Sequence, residues 1–266
     1  EAKYGNTSNI SYYKNNINRN AGFNRHLGYC KSKGDYIVFM DDDDYYIDKD
    51  FFLKAINMHM NYNDIALVGA NALIQNSKTN DITIGHLNNS GYISQEEYIL
   101  NFEIRLNKPF STFTSIIKKQ SLEKAEFQNM IMMDDSSIYL RAILYGGAYI
   151  LDDIIGVYRV HGANITGTLS VNFIIDNLKE KFWVYNKLQS LLNSNLNNYW
   201  LFEQFSTTIA YYINNNEANF MDVLILLKWC QKHSVSILNK IRLTFYITKL
   251  TVKKIFITKI IGKLKK

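Results

Sequence analysis

The sequence predicts an α/β fold with a mostly parallel sheet and flanking helices, followed by an all-helical C-terminal extension. Residues 36–40, Tyr-Ile-Val-Phe-Met, form a short apolar run between a turn and an acidic segment, which is typical of a buried strand. A helical pattern precedes this run, and helices alternate with strands in parallel sheets. After residue 168 strand signals are few. We therefore predict an α/β part at residues 1–168 and a helical part at residues 169–266.

The predicted elements follow from hydrophobic periodicity. In the first part we expect helices at residues 21–33, 50–62, 95–103 and 136–146, strands at 36–40, 65–74, 113–117 and 149–158, and a loop or hairpin at 76–89. In the second part we expect long helices at 171–195, 199–214, 219–235 and 239–266. The inward positions predicted for the first two helices are Leu27, Cys30, Phe51, Ile56 and Met60.

Composition and charge narrow the class of protein. The chain has 266 residues, of which 47% are hydrophobic, so it can bury a sizeable core, and this composition favours a folded chain over a disordered one. The net charge is +6, but eleven Lys or Arg follow the last acidic residue, Asp222, which leaves −5 on residues 1–222. A nucleic-acid binder carries basic residues on its folded body. A basic tail on an acidic body favours an anionic membrane surface and no nucleic acid.

The two cysteines, Cys30 and Cys230, belong to no C-x-x-C or Cys/His cluster. Structural zinc and a disulfide framework are therefore poorly supported. We expect both thiols to be buried and inert.

Four aspartates at residues 41–44 directly follow the first predicted strand. Adjacent carboxylates repel one another, so a folded protein keeps them together with water, a cation or basic partners. Hard divalent cations bind one or two protein carboxylates together with substrate phosphates. The carboxyl ends of parallel strands are also where open α/β sheets bind ligands. The alternative interpretation is a solvated acidic turn.

The residues around this acidic run resemble the signature of glycosyltransferase family 2, which has the GT-A fold. The resemblance rests on residues 20–28, Asn-Ala-Gly-Phe-Asn-Arg-His-Leu-Gly, and on residues 33–44, Lys-Gly-Asp-Tyr-Ile-Val-Phe-Met followed by four Asp. In the family, R-N-x-G precedes G-[DE]-Y-I by six residues, and the strand ends in D-x-D-D. Here His26 replaces the usual Asn, and the segment before it is shortened.

The resemblance implies roles for four residues near this strand. Arg25, Asp41 and Asp42 would bind the nucleotide-sugar, and Asp43 would hold a Mg²⁺ or Mn²⁺ that bridges the diphosphate. A metal there would stabilise the charge that develops on the leaving group.

A second segment, residues 133–141, resembles the family's E-D-x-D-L-W-x-R, with Asp134 in the place of Glu and Asp135 in the place of Asp. The resemblance implies that Asp135 is the general base of an inverting transferase. Carboxylates at the start of a predicted helix also suit a helix N-cap, which is the alternative role.

A third segment, residues 158–166, resembles the family's Y-R-x-H-x-x-N-x-T and contains Arg159, His161, Asn164 and Thr166. The resemblance implies that His161 ligates the metal or that its loop closes over the diphosphate. Arg159 would contact phosphate or pair with the acidic loop.

The resemblance covers residues 9–167 and lacks the family's opening strand–helix–strand unit, so we expect an N-terminally incomplete domain. It implies a metal-dependent inverting hexosyl- or N-acetylhexosaminyltransferase in bacterial cell-surface polysaccharide or lipooligosaccharide synthesis. The donor would be a nucleotide-sugar, with UDP favoured, and the acceptor a glycan or a lipid-linked glycan. Two alternatives are an inactive membrane-associated remnant and an acidic calcium-binding interaction module.

Residues 239–266 combine apolar residues at three- and four-residue spacing with seven lysines from Lys249 onwards. This pattern is typical of an amphipathic helix in a membrane interface, and each cation near an anionic surface contributes about 1 kcal/mol. We therefore expect a cytoplasmic protein that lies on the inner face of the plasma membrane. The alternative is a core-packing helix with a solvated basic face.

Overall fold

A seven-stranded sheet forms the centre of the first part of the chain in the computed structural model. The structure describes residues 10–130, 132–161, 169–215, 219–234 and 236–264, the last ten of these by their backbone alone. Asn164, Thr166 and the predicted boundary at 168 lie outside the described residues. The strands are β1 (Tyr36–Ile37), β2 (Tyr45–Tyr46), β3 (Ile65–Asn76), β4 (Ile82–Ile84), β5 (Gly91–Ile93), β6 (Ser115–Lys118) and β7 (Gly147–Val160).

The strand directions correct one feature of the predicted fold class. The order is β1-β6-β3-β7-β2, with β4 on β3 and β5 on β7. Among the described strands, only β3 and β7 pair in parallel, and the other pairs are antiparallel. The α/β class is confirmed, but the sheet is mixed rather than mostly parallel. Short antiparallel pairs need no helical crossover, so two- and three-residue strands can join the central pair.

Helices flank the sheet and then form the extension. The first part contains α1 (Asn20–Lys31), α2 (Phe51–Asn61), α3 (Gln95–Asn101), α4 (Lys119–Lys124) and α5 (Asp135–Ile143). The second part contains α6 (Val171–Leu188), α7 (Ser194–Asn215), α8 (Phe220–His233) and α9 (Ile237–Leu264). The four long helices predicted from periodicity are thus confirmed. Side-chain caps at Ser94, Asp134, Ser170 and Asn219 begin α3, α5, α6 and α8.

One apolar core joins the two predicted parts. Its buried members include Tyr98 and Leu140 before residue 168, and Trp200 and Phe205 after it. Polar contacts cross the same interface. The indole Nε1 of Trp200 donates to the backbone oxygen of Ile99 at 2.7 Å. The helical extension therefore packs on the α/β part as a continuation of its core.

A second interface contact is the buried ion pair between Arg141 of α5 and Glu180 of α6, at 2.7 Å. The guanidinium of Arg141 also lies 3.3 Å from the centre of the Trp183 ring. Removing one partner of a buried pair leaves an uncompensated charge, so such a pair strongly favours one arrangement of the two helices.

Several predicted inward positions are wrong by one residue of helical phase. Cys30 is exposed, Leu27 is half-buried, and Tyr29 takes the buried position of α1, whereas Cys230 is buried as expected. In α2, Phe51 is buried and Ile56 half-buried, but Met60 is 69% exposed and its neighbour His59 is buried. One residue rotates a helix position by about 100°, so a small error in phase exchanges core and surface.

Within the described ranges, no helix is both long enough and apolar enough to cross a membrane.

His59 creates a pH-dependent term in stability. Its Nε2 lies 3.0 Å from the backbone oxygen of Ile116, and its Nδ1 has no hydrogen-bond partner in the described part of the chain. Burial lowers the pKa of His59 to about 4, the Ile116 contact opposes this, and Lys118 adds to it. The unfolded chain takes up the proton near pH 6.5. Stability contributed by neutral His59 is therefore present above pH 6.5 and is lost as the pH falls towards 4.

We expect the variant His59→Gln to lose less stability than the wild type between pH 7 and pH 4.5, by about 2 kcal/mol. Urea unfolding at the two pH values measures this difference. The variant His86→Gln, at an exposed histidine, is the control. Equal pH dependence of the two variants would contradict a buried neutral His59.

Candidate functional site

Arg25 joins two of the three segments that sequence analysis singled out. Its Nη2 donates to both carboxylate oxygens of Asp41, at 3.2 and 3.1 Å. Its Nη1 donates to Oδ1 of Asp135 at 3.1 Å and to the backbone oxygen of Met133 at 3.0 Å. Arg25 lies four residues before buried Tyr29, so the two side chains share the inward face of α1. The loop after β1 and the start of α5 thus meet at one guanidinium.

The carboxylate partners of this guanidinium affect its pKa more than its burial does. The Arg25 side chain is 13% exposed. Burial lowers the pKa of Arg25, but Asp135 and Asp41 raise it more, so that its net pKa is above the ordinary value. A permanently charged group between two carboxylates relieves the repulsion that they would otherwise exert on each other.

The third segment contacts the acidic loop, residues 41–44, through Arg159 and His161. Nε2 of His161 lies 2.7 Å from Oδ2 of Asp43. The Nε of Arg159 donates to the backbone oxygen of Asp43, and the backbone N–H of Arg159 donates to Oδ1 of Asp44 at 3.3 Å. Of the two alternatives for Arg159, pairing with the acidic loop is the contact seen.

Gly156 allows β2, which directly follows the acidic loop, to pair with β7. Strand β2 pairs with β7 through Tyr45 and Val157, and Gly156 lies opposite the next residue of β2. A Cβ at Gly156 would lie 2.7 Å from the backbone oxygen of Tyr45. Only glycine therefore lets β2 approach β7 here, and this approach holds the acidic loop against the end of β7.

Asp44 is a site residue that sequence reasoning missed. It is 6% exposed, whereas Asp42, predicted to bind the nucleotide-sugar, is exposed. Burial raises the pKa of Asp44 to about 7, the N–H of Arg159 lowers it, and Asp43, Asp41 and Asp135 raise it. The signal that could have found it is its place directly before the aromatic pair that forms β2.

The pKa of Tyr158 is affected by carboxylates of both segments. Burial raises its pKa to about 12, and Asp135, Asp44, Asp43 and Asp41 add to the rise, in that order. The phenol of Tyr158 is thus close enough to interact electrostatically with carboxylates from two segments that lie more than 90 residues apart in sequence.

The two aspartates at the start of α5 have different contacts. Asp134 is the N-cap, since its Oδ1 accepts from the backbone N–H of Ser137 at 3.1 Å. Asp135 is the next residue, and its side chain, 26% exposed, faces Arg25. The Oδ2 of Asp134 accepts from Asn177 of α6 at 2.6 Å, a contact that sequence analysis did not anticipate.

Asp43 and His161 offer donor atoms to a cation. Among the side chains that the structure describes, no group of three or more His, Cys, Asp and Glu is arranged to hold a metal ion. Two adjacent ligands about 2.1 Å from a Mg²⁺ ion lie about 3 Å apart, and Mg²⁺ commonly takes its other ligands from phosphates and water. The 2.7 Å between Asp43 Oδ2 and His161 Nε2 is close to that separation. The pair fits a cation that a diphosphate helps to bind.

We expect the variant Arg25→Gln to lower the free energy of unfolding by about 2 kcal/mol, because it leaves Asp41 and Asp135 without their charged partner. Urea unfolding at pH 7 measures the loss. The variant Arg19→Gln, at an exposed arginine just before the same helix, should change stability by no more than about 0.5 kcal/mol. Equal effects of the two variants would show that the Arg25 bridge does not form.

Comparison with known proteins bears on residues 2–125, which match the family model described as Glycosyl transferase family 2. The matched residues include Arg25 and the four aspartates, and they end before Asp135, Arg159 and His161. No curated protein matches the chain. The mixed sheet, its flanking helices and α6 to α9 fit a GT-A fold with a helical extension. Residues 2–125 are therefore similar to glycosyl transferase family 2.

Proposed function

We propose that this protein is a metal-dependent inverting glycosyltransferase that moves a sugar from a nucleotide-sugar to a glycan or lipid-linked acceptor. The family match supports glycosyl transfer from a nucleotide-sugar in general. The observation that carries the finer proposal is the Arg25 bridge. It brings a carboxylate from outside the matched residues, Asp135, to the acidic loop inside them. The setting that we propose is synthesis of bacterial cell-surface polysaccharide.

Asp135 is proposed as the general base. Arg25 binds its Oδ1, so Oδ2 is the oxygen that would take the proton of the acceptor hydroxyl. The side chain is partly exposed, as an atom that meets an acceptor must be. The first turn of α5 fixes the position of the Asp135 backbone, and the hydrogen bond from Arg25 orients its carboxylate. Such a base contributes about 10²- to 10⁴-fold to the rate.

The donor side of the site is assigned to the acidic loop and its neighbours. Arg25, Asp41, Asp42 and Arg159 are proposed to bind the nucleotide-sugar, with UDP favoured. Asp41 is 42% exposed in its side chain, so a ribose or base can reach it.

Asp43 and His161 would hold Mg²⁺ or Mn²⁺. A metal would replace the direct hydrogen bond between these two side chains, so His161 would have to present the lone pair of Nε2 with its proton on Nδ1. A metal bound there would stabilise the negative charge that develops on the diphosphate leaving group.

The test is a screen of nucleotide-sugars for Mn²⁺-dependent transfer and donor hydrolysis. We expect the variant Asp135→Asn to lower transfer at least about 100-fold while donor affinity is retained, because the base acts on the acceptor. The variant Asp43→Asn should weaken Mn²⁺-dependent donor binding. The variant Asp50→Asn, at an exposed carboxylate on α2's N-terminal side, is the matched control. Unchanged turnover in Asp135→Asn would reject the role of the base.

The same experiment separates the two alternative functions. An inactive remnant would bind no nucleotide-sugar in calorimetry. A calcium-binding module would bind Ca²⁺ without any nucleotide, and the variant Asp135→Asn would not alter that affinity.

We further propose that α9 lies on an anionic membrane surface at the inner face of the plasma membrane. One face of α9 packs on α7 and α8 through Leu243 and Ile247, each 1% exposed. A second apolar stripe lies on the opposite face and is 60–74% exposed; it consists of Ile237, Ile241, Phe245 and Val252. Spacings of four, four and seven residues place these four side chains together.

Cations border this exposed stripe. Arg242, Lys249 and Lys253 are exposed, and their spacings of seven and four residues place them along one side of it. An apolar stripe beside a row of cations suits an interface between acyl chains and anionic headgroups. The alternative from sequence, a packing helix with a solvated basic face, accounts for the buried face but not for the exposed apolar one.

We expect the double variant Ile241→Ser/Phe245→Ser to bind phosphatidylglycerol vesicles at least about tenfold more weakly than wild type, because two large apolar side chains lose their insertion. Co-sedimentation measures the affinity, and phosphatidylcholine vesicles should bind weakly in every case. The control Leu53→Ser/Met60→Ser removes two apolar side chains, 64% and 69% exposed, from α2. Equal binding by the two double variants would contradict the proposal. So would the finding that the wild type is a dimer in solution and that only Ile241→Ser/Phe245→Ser is a monomer.

A further inference from the structure

We propose that α6 of the helical extension positions the carboxylate of Asp135, with Asn177 as the principal positioning residue. This inference rests on the proposed role of Asp135 as general base. It assigns to the extension a part in the reaction that the resemblance to the family did not imply.

The first contact of α6 is with the residue before the base. The Nδ2 of Asn177 donates to Oδ2 of Asp134 at 2.6 Å, and Asn177 is 6% exposed. The other oxygen of Asp134 caps α5 through Ser137. Both carboxylate oxygens of Asp134 are therefore held, one by its own helix and one by the extension.

The second contact of α6 reaches the residue after the base through an intermediary. The Oγ of Ser136 donates to Oε1 of Glu103 at 2.6 Å. Lys181 lies 3.6 Å from Oε2 of the same carboxylate and donates to Thr208 of α7 at 2.7 Å. Burial raises the pKa of Glu103, but Lys181 and Lys108 lower it more, so its net pKa lies below the ordinary value. An ionised Glu103 can keep hold of Ser136.

Asn177 and Lys181 are four residues apart, so they project from the same face of α6. That face holds Asp134 directly and Ser136 through Glu103, while Arg25 holds Met133 and Asp135 from the other side. Every residue from 133 to 136 thus has a fixed partner outside its own helix. A reacting group misplaced by about 1 Å can lose about 100-fold in rate, so this support bears on turnover.

Docking of the extension does not require the Asn177 contact. The buried pair of Arg141 with Glu180 and the bond from Trp200 to Ile99 join the same two parts of the chain. Gln204 adds a bond to the backbone oxygen of Phe102 at 2.8 Å. The loss of Asn177 can therefore be tested in a protein whose extension remains in place.

The experiment uses the variant Asn177→Leu, which keeps the size of the side chain and removes its N–H donor. The matched control is Asn172→Leu, at an exposed asparagine on the same helix. We expect kcat to fall about 10- to 100-fold in Asn177→Leu, with the KM of the donor unchanged. A role confined to folding would instead lower the melting temperature and the active fraction and leave kcat per active enzyme at the control value.

A second readout does not depend on activity. Hydrogen exchange at the amides of residues 135–138 should be at least about tenfold faster in Asn177→Leu than in Asn172→Leu, while exchange in α7 stays unchanged. Faster exchange throughout α6 and α7 would show a general loosening of the extension and would overturn the inference. So would unchanged exchange at residues 135–138.

A double-mutant cycle with Asp134→Ala completes the test. If Asn177 acts through Asp134, adding Asn177→Leu to Asp134→Ala lowers kcat no further. Additive effects, or a kcat for Asn177→Leu equal to that of the control, would overturn the inference. Failure of the proposed function has a different signature: wild type transfers no sugar, while the exchange measurement still tests whether α6 holds the start of α5.

Discussion

One guanidinium determines how the rest of this site can be built. Arg25 bonds to Asp41 after β1, to Asp135 at the start of α5 and to the backbone just before it. Asp44 and Asp43 lie close enough to add to the electrostatic field of the same region. Without a buried cation, several partly desolvated carboxylates would repel one another or take up protons. Arg25 therefore allows Asp41 and Asp135 to lie close together.

The helical extension belongs to the same folded unit as the sheet. Its helices share the main core with α3 and α5, and its polar side chains satisfy backbone and carboxylate groups of the first part. The buried pair of Arg141 with Glu180 is a further join, stacked on Trp183. Because α6 contacts Asp134 directly and reaches Ser136 through Glu103, the geometry of the candidate base is coupled to the packing of the extension.

Helix α9 shows how one amphipathic pattern can serve two surfaces. Leu243 and Ile247 face the core, while Ile241 and Phe245 face outward, so the helix is apolar on two opposite sides. Cations occupy the strip between them. A pattern of apolar residues in the sequence indicates that a helix has an apolar face. It does not indicate how many surfaces the helix packs against.

The sequence by itself determined the α/β class and the four long C-terminal helices. It also identified five candidate site residues: Arg25, Asp41, Asp43, Asp135 and His161. The fold class and the helices follow from local periodicity along the chain, and the candidate site residues follow from the resemblance of three segments to a family. Tertiary structure alone decided the mixed strand directions, the burial of Asp44 rather than Asp42, the exposure of Cys30 and the contact of Asn177 with Asp134. Each of these depends on which distant surfaces meet, and a helical phase error of one residue or a strand paired in the other direction is enough to change the outcome.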